Sequence, residues 1–475
     1  MPVRSRKRVR QTTPVTFDLS EHLQAALDKL PLLELARQTH WMERVARKLT
    51  PLSLVTATLL LIGQPQISCT VLAVLLGLLS GQTVSKQSVH ERLDPSVSHF
   101  LEAVLARALG SCVQVAKTSL QLAALPFARI LVQDSSTIKL NEKLASVYPG
   151  GANQHGTTPG VLRLQAVFDL LSQRWLSFRL SPYVRNDQKA SPDLLPLVQK
   201  NDLVLRDLGY FALKVLEPIA QRGAFFLSRF YFRTAVFDLN GRQIDLLNLL
   251  RHEGKVDRWV LLGKHEKLRV RLVAVPVPAE VANERRRKAR AHLQNRCQLS
   301  KEYLALQNWS LFVTNVPREI LSAQQVMALY GQRWHIEIIF KGWKSHFHLE
   351  TVSHSTTREL LELAIYGKLI FITLTHPLTA PPPSAAQADS PVPLFSRLKV
   401  NLLISQCLLS VVLESRNIDV AEGLARQMDY HGRYEKRKPK NLWQKLFLLS
   451  RREWALPRCA ELWLTAANVE PPPTR

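Results

Sequence analysis

The sequence predicts an α/β protein with a mixed β-sheet core, a β-rich insertion in that core, and helical regions at both ends. From about Phe17 to Leu109, apolar pairs recur at three- and four-residue spacing, as on amphipathic helices. At Pro126 the pattern changes to short runs rich in β-branched and aromatic residues, which is typical of strands. Helical segments then alternate with these runs, which indicates an α/β arrangement.

The N-terminal part is predicted as a disordered basic arm over residues 1–16 and a helical DNA-binding region over residues 17–120. Four prolines interrupt its helices: Pro31, Pro51, Pro65 and Pro95. The segment SKQSVHERL, capped by Ser85, has two interpretations. It is either the second helix of a helix-turn-helix or a plain helix of a bundle.

The core strands begin with ARILVQDSSTIKL, a buried strand predicted to end near Asp134. VLRLQAVFDL and RWLSFRLSPY follow as a hairpin around LSQR. A helix is predicted from about Ser191, then the short apolar strand Leu203 to Leu205, which leads to Asp207. Gly209 allows a turn directly after that acid.

The second half of the core contains strand-like runs and a basic helix over residues 212–308, predicted as the β-rich insertion. Trp309 to Pro317 then reads as the last core strand. This element order is that of an RNase H-like core, placed at residues 121–375. A Pro/Ala-rich linker (376–393) and a helical basic region (394–475) complete the chain.

The stretch YGQRWHIEIIFKGWKSHF is predicted as one helix with two distinct faces. At roughly 100° per residue, Tyr330, Arg333, Glu337 and Lys344 fall within about 60° of arc. A second, apolar stripe is predicted to pack on the core; it contains Ile336, Ile339, Phe340, Trp343 and Phe347. One carboxylate flanked by two cations and a phenol suits a metal ligand beside phosphate-binding groups. An ordinary amphipathic helix with a solvated charged face has the same spacing.

Three carboxylates, Asp134, Asp207 and Glu337, are predicted to meet where strand ends and the final helix come together. Such a set suits Mg²⁺, a hard ion that prefers oxygen ligands. Three rival acids were assigned other roles: Asp169 as a surface acid, Asp187 as a loop acid and Asp202 as a turn residue.

The charge of the chain favours a polyanionic partner. Lys and Arg number 63 against 38 for Asp and Glu, a formal net charge of +25, and nucleic acid is the commonest partner of so basic a protein. Five scattered cysteines without a CxxC pair argue against a disulfide framework and a structural zinc site. This cysteine usage fits a reducing, cytosol-like compartment. The apolar runs are too short to span a membrane, so a soluble chain is expected.

The spacing Tyr330-x2-Arg333-x3-Glu337-x6-Lys344 resembles the Y-R-E-K signature of the insertion-sequence-4 family of DDE transposases. Four blocks in the same order add to the resemblance, which covers roughly residues 20–375: QDSSTIKL, PGGANQHG, DLGYF and FLSRFYF, with Arg229 in the last. One departure is DLGY where many members have DRGY, which removes a basic group beside the site.

The resemblance implies an insertion-sequence transposase that binds terminal inverted repeats and performs cut-and-paste transposition in the bacterial cytoplasm, associated with the nucleoid. Asp134, Asp207 and Glu337 would bind Mg²⁺, with Mn²⁺ as a substitute. Double-stranded DNA would be contacted by Tyr330, Arg333, Lys344, Arg229 and Trp309. Trp309 would stack on a flipped base, or else be a core aromatic that begins a strand. A homodimer is expected in the DNA complex. The alternatives are a structure-selective nuclease of this fold and a non-catalytic DNA-binding regulator.

Overall fold

The computed structural model describes residues 19–43, 49–63, 67–80, 84–116, 126–151, 158–292, 299–349, 357–379, 402–406 and 408. The chain divides into two compact units, Met1–Cys112 with Gly342–Lys438 and Val113–Lys341 with Pro439–Arg475. We call them the helical unit and the sheet unit, because all nine described strands belong to the second.

Six helices form the N-terminal part of the helical unit. They are α1 (Leu19–Asp28), α2 (Leu32–Gln38), α3 (Pro51–Leu60), α4 (Cys69–Ser80), α5 (Lys86–Arg92) and α6 (Pro95–Ala116). Proline sits where helices start: Pro31 is the N-cap of α2, and Pro51 and Pro95 are the first residues of α3 and α6. Proline is tolerated there because the first amides of a helix have no intrahelical acceptor. Ser85 caps α5 as predicted, since its side chain accepts from the Ser88 amide.

The sheet unit is built on nine strands. They are β1 (Ile130–Lys139), β2 (Val161–Asp169), β3 (Arg174–Pro182), β4 (Leu203–Arg206), β5 (Phe225–Arg229), β6 (Val236–Phe237), β7 (Val256–Leu262), β8 (Leu268–Pro276) and β9 (Trp309–Thr314). Their order across the sheet is β3-β2-β1-β4-β5-β9-β8-β7-β6. The predicted hairpin is confirmed, because β2 and β3 pair antiparallel around a short turn.

Along the chain, the described helices of the sheet unit come between these strands or, in the case of the last one, after β9. They are α7 (Asp187–Ala190), α8 (Leu213–Gln221), α9 (Leu246–Glu253), α10 (Ala279–His292), α11 (Lys301–Leu306) and α12 (Ala323–Gly331). The helix predicted from Ser191 is instead a 3-10 helix over Ser191–Leu197 that follows α7. Buried side chains of β4, β5 and α8 share one apolar cluster that supports the sheet; Val204, Phe226 and Ile219 are all fully buried in it.

The last core strand is β5, which corrects the prediction that Trp309 to Pro317 fills that position. β4 pairs in parallel with both β1 and β5, which completes the five-strand order 3-2-1-4-5. β9 instead pairs antiparallel with β5 and β8, and it extends the sheet into the insertion. The insertion strands therefore follow β5, rather than starting at residue 212. Strand-like runs look alike in sequence. The position of each strand in the sheet is known only from the strands to which it is hydrogen-bonded.

The signature segment forms two helices rather than the single predicted one. α12 ends at Gly331 and α13 (Trp334–His346) begins three residues later. Between them the amides of Gln332, Arg333, His335 and Ile336 each bond to the carbonyl three residues earlier, a tighter winding than an α-helix allows. The division between the two units falls within α13.

Several predicted regions lie outside the described residues: the arm 1–16, most of the linker 376–393 and most of the C-terminal region 394–475. The last long described helix, α14 (Arg358–Thr379), continues past His376 into the segment predicted as linker. Within the described ranges, no helix combines the length and apolar character needed to cross a membrane.

Candidate active site

Asp134 and Asp207 are brought side by side by the parallel pairing of β1 and β4. Val132 lies opposite Leu205, so continuing that register by two residues brings Asp207 level with Asp134. Asp207 comes directly after β4, where it caps the turn Leu208–Tyr210. The prediction that β1 ends near Asp134 is wrong, because β1 continues to Lys139 on the hydrogen bonds it makes to β2.

Glu337 joins the two aspartates through one shared partner, the guanidinium of Arg333. The Nη2 of Arg333 donates to Glu337 Oε1 at 2.5 Å. Its Nε lies 3.5 Å from Asp207 Oδ1, and its Nη1 lies 4.0 Å from Asp134 Oδ2. The tight turn between α12 and α13 places Arg333 at this point. Three acids distant in sequence thus surround one cation.

Burial and mutual repulsion set the ionisation of this cluster. Burial raises the pKa of Asp134 to about 7; Glu337 and Asp207 act in the same direction, whereas Arg333 and the Ser135 amide oppose it. Burial acts to lower the pKa of Arg333, but the carboxylates around it raise that pKa above its usual range. A positive charge at this position therefore favours the ionised carboxylates.

Tyr330 lies in the last turn of α12, beside the same guanidinium. The guanidinium carbons of Arg333 and Arg229 each lie 6.0 Å from the centre of its ring. Its side chain is buried, and burial raises the pKa of this phenol. Arg229, exposed at the end of β5, thus lies on the site side of the sheet unit.

Lys344 is half-buried in α13, seven residues beyond Glu337, and it belongs to the helical unit. The apolar stripe predicted for this helix is largely confirmed. Ile336, Phe340, Trp343 and Phe347 are at most 4% exposed, whereas Ile339 is only half-buried.

Residues 125–374, more than half of the chain and all of the strands above, match the family described as the transposase DDE domain. The chain belongs to this family. The resemblance read from the Y-R-E-K spacing is therefore confirmed.

Several curated transposases are similar to this DDE-domain chain. It is 30% identical over 316 residues to the transposase of insertion sequence element IS231B of Bacillus thuringiensis subsp. berliner, which covers 62% of this chain and 65% of the relative. Identity to the IS231C transposase of the same organism is 31% over 319 residues, with 62% and 65% covered. For the IS1151 transposase of Clostridium perfringens it is 24% over 314 residues, with 61% and 65% covered. The chain thus matches just under two thirds of the length of these relatives.

The three carboxylates of this DDE-domain protein fit a hard divalent cation. All of their donor atoms are oxygens, which Mg²⁺ and Mn²⁺ prefer. Among the described residues, no three His, Cys, Asp or Glu side chains stand close enough together to hold an ion in this arrangement. The guanidinium of Arg333 lies against all three carboxylates, so a bound cation requires its side chain to move aside.

Trp309 has contacts that favour the core interpretation. It is the first residue of β9, where it pairs with Pro276 of β8. Its indole N–H donates to the Gly254 carbonyl at 2.7 Å, and the half-buried ring packs against the apolar cluster of the sheet unit. Through these contacts Trp309 connects the beginning of β9 with the loop before β7, as expected of a core aromatic residue.

We expect Trp309→Ala to lower the free energy of unfolding by about 2 kcal/mol, because a half-buried ring and an internal hydrogen bond are lost together. A thermal melt beside a DNA-cleavage assay measures both consequences. Trp309→Phe, which keeps most of the ring, is the control and should lose less stability. A Trp309→Ala protein that is fully stable but defective in cleavage would instead support base stacking.

The three rival acids have structural partners. Asp169 was predicted as a surface acid, and this is wrong: it is 2% exposed and accepts from three backbone amides, those of Leu171 and Ser172 in the β2–β3 turn and that of Ile130 at the start of β1. Asp202 is a turn residue as predicted, bound to Arg129 and to the Gln199 amide. Asp187, predicted as a loop acid, is the first residue of α7.

A polar layer lies behind the two aspartates, and the sequence patterns do not predict it. Arg206 is fully buried and donates to Gln133 Oε1 at 2.7 Å, to Tyr210 O at 3.1 Å and to Ser191. Burial lowers the pKa of Arg206 to about 10. These bonds tie the turn after Asp207 to β1. The sequence does contain a signal for this layer, because the apolar run LVLR ends in a charged residue, Arg206.

Proposed function

We propose that this chain is an insertion-sequence transposase that binds terminal inverted repeats and catalyses metal-dependent DNA cleavage and strand transfer. One observation carries the proposal: Asp134, Asp207 and Glu337 all lie within 4.0 Å of the Arg333 guanidinium in a DDE-domain chain. Three carboxylates gathered on one cation are the donor set for phosphoryl transfer assisted by two divalent ions.

Asp134, Asp207 and Glu337 are the proposed ligands of Mg²⁺, for which Mn²⁺ can substitute. When bound, the ions activate the attacking oxygen and stabilise the leaving oxygen at the scissile phosphate. Arg333, once displaced from the carboxylates, becomes available to a DNA phosphate. Tyr330 and Arg229 lie next to it, and a phenol and a guanidinium are both suitable donors to phosphate.

The proposed partner is double-stranded DNA, both transposon ends and target, and the net charge of +25 supports it. Because two ends must be cut and joined together, we propose a homodimer in the DNA complex. The proposed location is the bacterial cytoplasm, associated with the nucleoid.

Cleavage and joining assays test this proposal against the two alternatives. The full chain is incubated with a labelled fragment that carries the inverted repeats flanking its gene, with Mg²⁺ or Mn²⁺ and with chelator as the control. Metal-dependent cuts at the fragment ends together with joined products are expected. Cuts without joining would indicate a structure-selective nuclease, and binding without cuts would indicate a regulator.

Lys344→Ala should weaken binding to the inverted-repeat fragment and reduce the slope of log affinity against log salt by about 0.9. This is the change expected when one phosphate contact is lost. Affinities measured at several salt concentrations give the slope. Arg222→Ala is the control, because Arg222 is exposed and donates to the backbone carbonyl of Pro218 in α8. Equal slopes for wild type and Lys344→Ala would remove Lys344 from the DNA contacts.

A further inference from the structure

Asp187 is a fourth carboxylate close to the site. Its Oδ1 accepts three hydrogen bonds, from Ser135 Oγ at 2.7 Å, Arg163 Nη1 at 2.9 Å and Gln165 Nε2 at 3.2 Å. Arg163 Nη1 also donates to Ser135 Oγ at 2.9 Å. These donors project from β1 and β2, whereas Asp187 starts α7, so the carboxylate joins the helix to the sheet.

The first link from Asp187 leads to Asp134. Ser135, fixed by Asp187 and Arg163, donates its backbone amide to Asp134 Oδ1 at 2.8 Å. A displaced Ser135 would therefore reorient the carboxylate of Asp134. Ligand carboxylates need such outer partners, because an oxygen that is free to rotate binds an ion more weakly.

The second link leads to Asp207. A Cβ built on Gly209 would lie 3.4 Å from Asp187 Oδ2 and 3.6 Å from Asp207 Oδ2, so the turn after Asp207 packs directly against Asp187. The next residue, Tyr210, donates its hydroxyl to Gln165 Oε1 at 2.5 Å, and Gln165 in turn donates to Asp187.

We propose that Asp187 is a positioning residue that orients both Asp134 and Asp207 for a divalent cation. This inference rests on the proposed function, because it assumes that those two aspartates are metal ligands. Asp187 acts through Ser135 on one side and through the Gly209–Tyr210 turn on the other.

A titration of the full chain with Mn²⁺ tests the proposal without DNA. Electron paramagnetic resonance of the unbound ion gives the affinity for Mn²⁺. Asp187→Ala should weaken Mn²⁺ binding about 10- to 100-fold, as loss of an outer partner of a metal ligand does. Asp187→Asn keeps an acceptor for Ser135 and should lose less affinity. The matched control is Asp193→Ala, since Asp193, like Asp187, is paired with arginine, here Arg185 and Arg179, but within the described residues it makes no hydrogen bond to the Asp134 segment.

Ser135→Ala removes only the hydroxyl that joins Asp187 to the Asp134 segment, and it replaces Asp187→Ala if that variant does not fold. Weaker Mn²⁺ binding in Ser135→Ala with an unchanged melting temperature supports the inference. Wild-type affinity in Asp187→Asn, Ser135→Ala and any folded Asp187→Ala would overturn it. Asp134→Asn distinguishes a failure of this inference from a failure of the proposed function. If Asp134→Asn also binds Mn²⁺ as wild type does, the assignment of the metal ligands is wrong.

Discussion

Asp134→Asn, Asp207→Asn and Glu337→Gln are each expected to reduce DNA cleavage on the order of 10³-fold or more while DNA binding stays close to wild type. Each change keeps the shape of the side chain and removes one negatively charged ligand, which acts mainly in the transition state. We expect the many basic residues still to hold the duplex in these variants. Single-turnover cleavage and a binding assay on the same fragment measure the two quantities.

Asp193→Asn is the control for these three variants, because it neutralises a carboxylate that pairs with Arg185 in the same unit. It should cleave like wild type. If any of the three site variants also cleaves like wild type, that residue is not a ligand of the catalytic ion.

Arg206→Met is expected to lower the free energy of unfolding by about 3 kcal/mol. The guanidinium is fully buried and donates to Gln133, Ser191 and Tyr210. Methionine fills the space but removes the guanidinium donors to Gln133 Oε1 and the Ser191 carbonyl, while the Tyr210 carbonyl keeps the Ser191 hydroxyl as a donor. A buried acceptor that loses its donor costs about 1–3 kcal/mol of stability. Part of this loss is offset because the variant no longer buries a positive charge. Denaturant unfolding at constant pH measures the difference.

Arg222→Met serves as its control, since Arg222 is exposed at the end of α8. Surface changes of this kind usually alter stability by less than about 0.5 kcal/mol. A loss below about 1 kcal/mol for Arg206→Met would mean that water or a rearranged turn satisfies the acceptors, and that the layer behind Asp207 is not rigid.

The hairpin and the Ser85 cap of α5 followed from the sequence because their causes are local. Alternating and β-branched residues on both sides of a short turn specify β2 and β3. Proline and Ser85 mark helix starts because they suit the first amides of a helix. Asp207 after a short apolar strand was identified for the same reason.

Features that depend on distant partners did not follow from the sequence. A strand-like run does not indicate which strand it pairs with, so the sequence predicts β9 as the last core strand, a position that β5 occupies in the structure. Asp169 was placed on the surface because its three amide donors come from the β2–β3 turn and from Ile130, at the start of β1. Asp187 was treated as a loop acid because its donors belong to two other elements.

The sequence by itself determined the family, the α/β class and the residues Tyr330, Arg333, Glu337 and Lys344 as a set, because a signature spacing and local strand and helix patterns are properties of the chain. Only the tertiary structure decided how those residues meet. The turn between α12 and α13 directs Arg333 onto three carboxylates, whereas a continuous helix would only align it with Glu337. Contacts between residues far apart in sequence depend on sheet register and packing, and no local pattern encodes them.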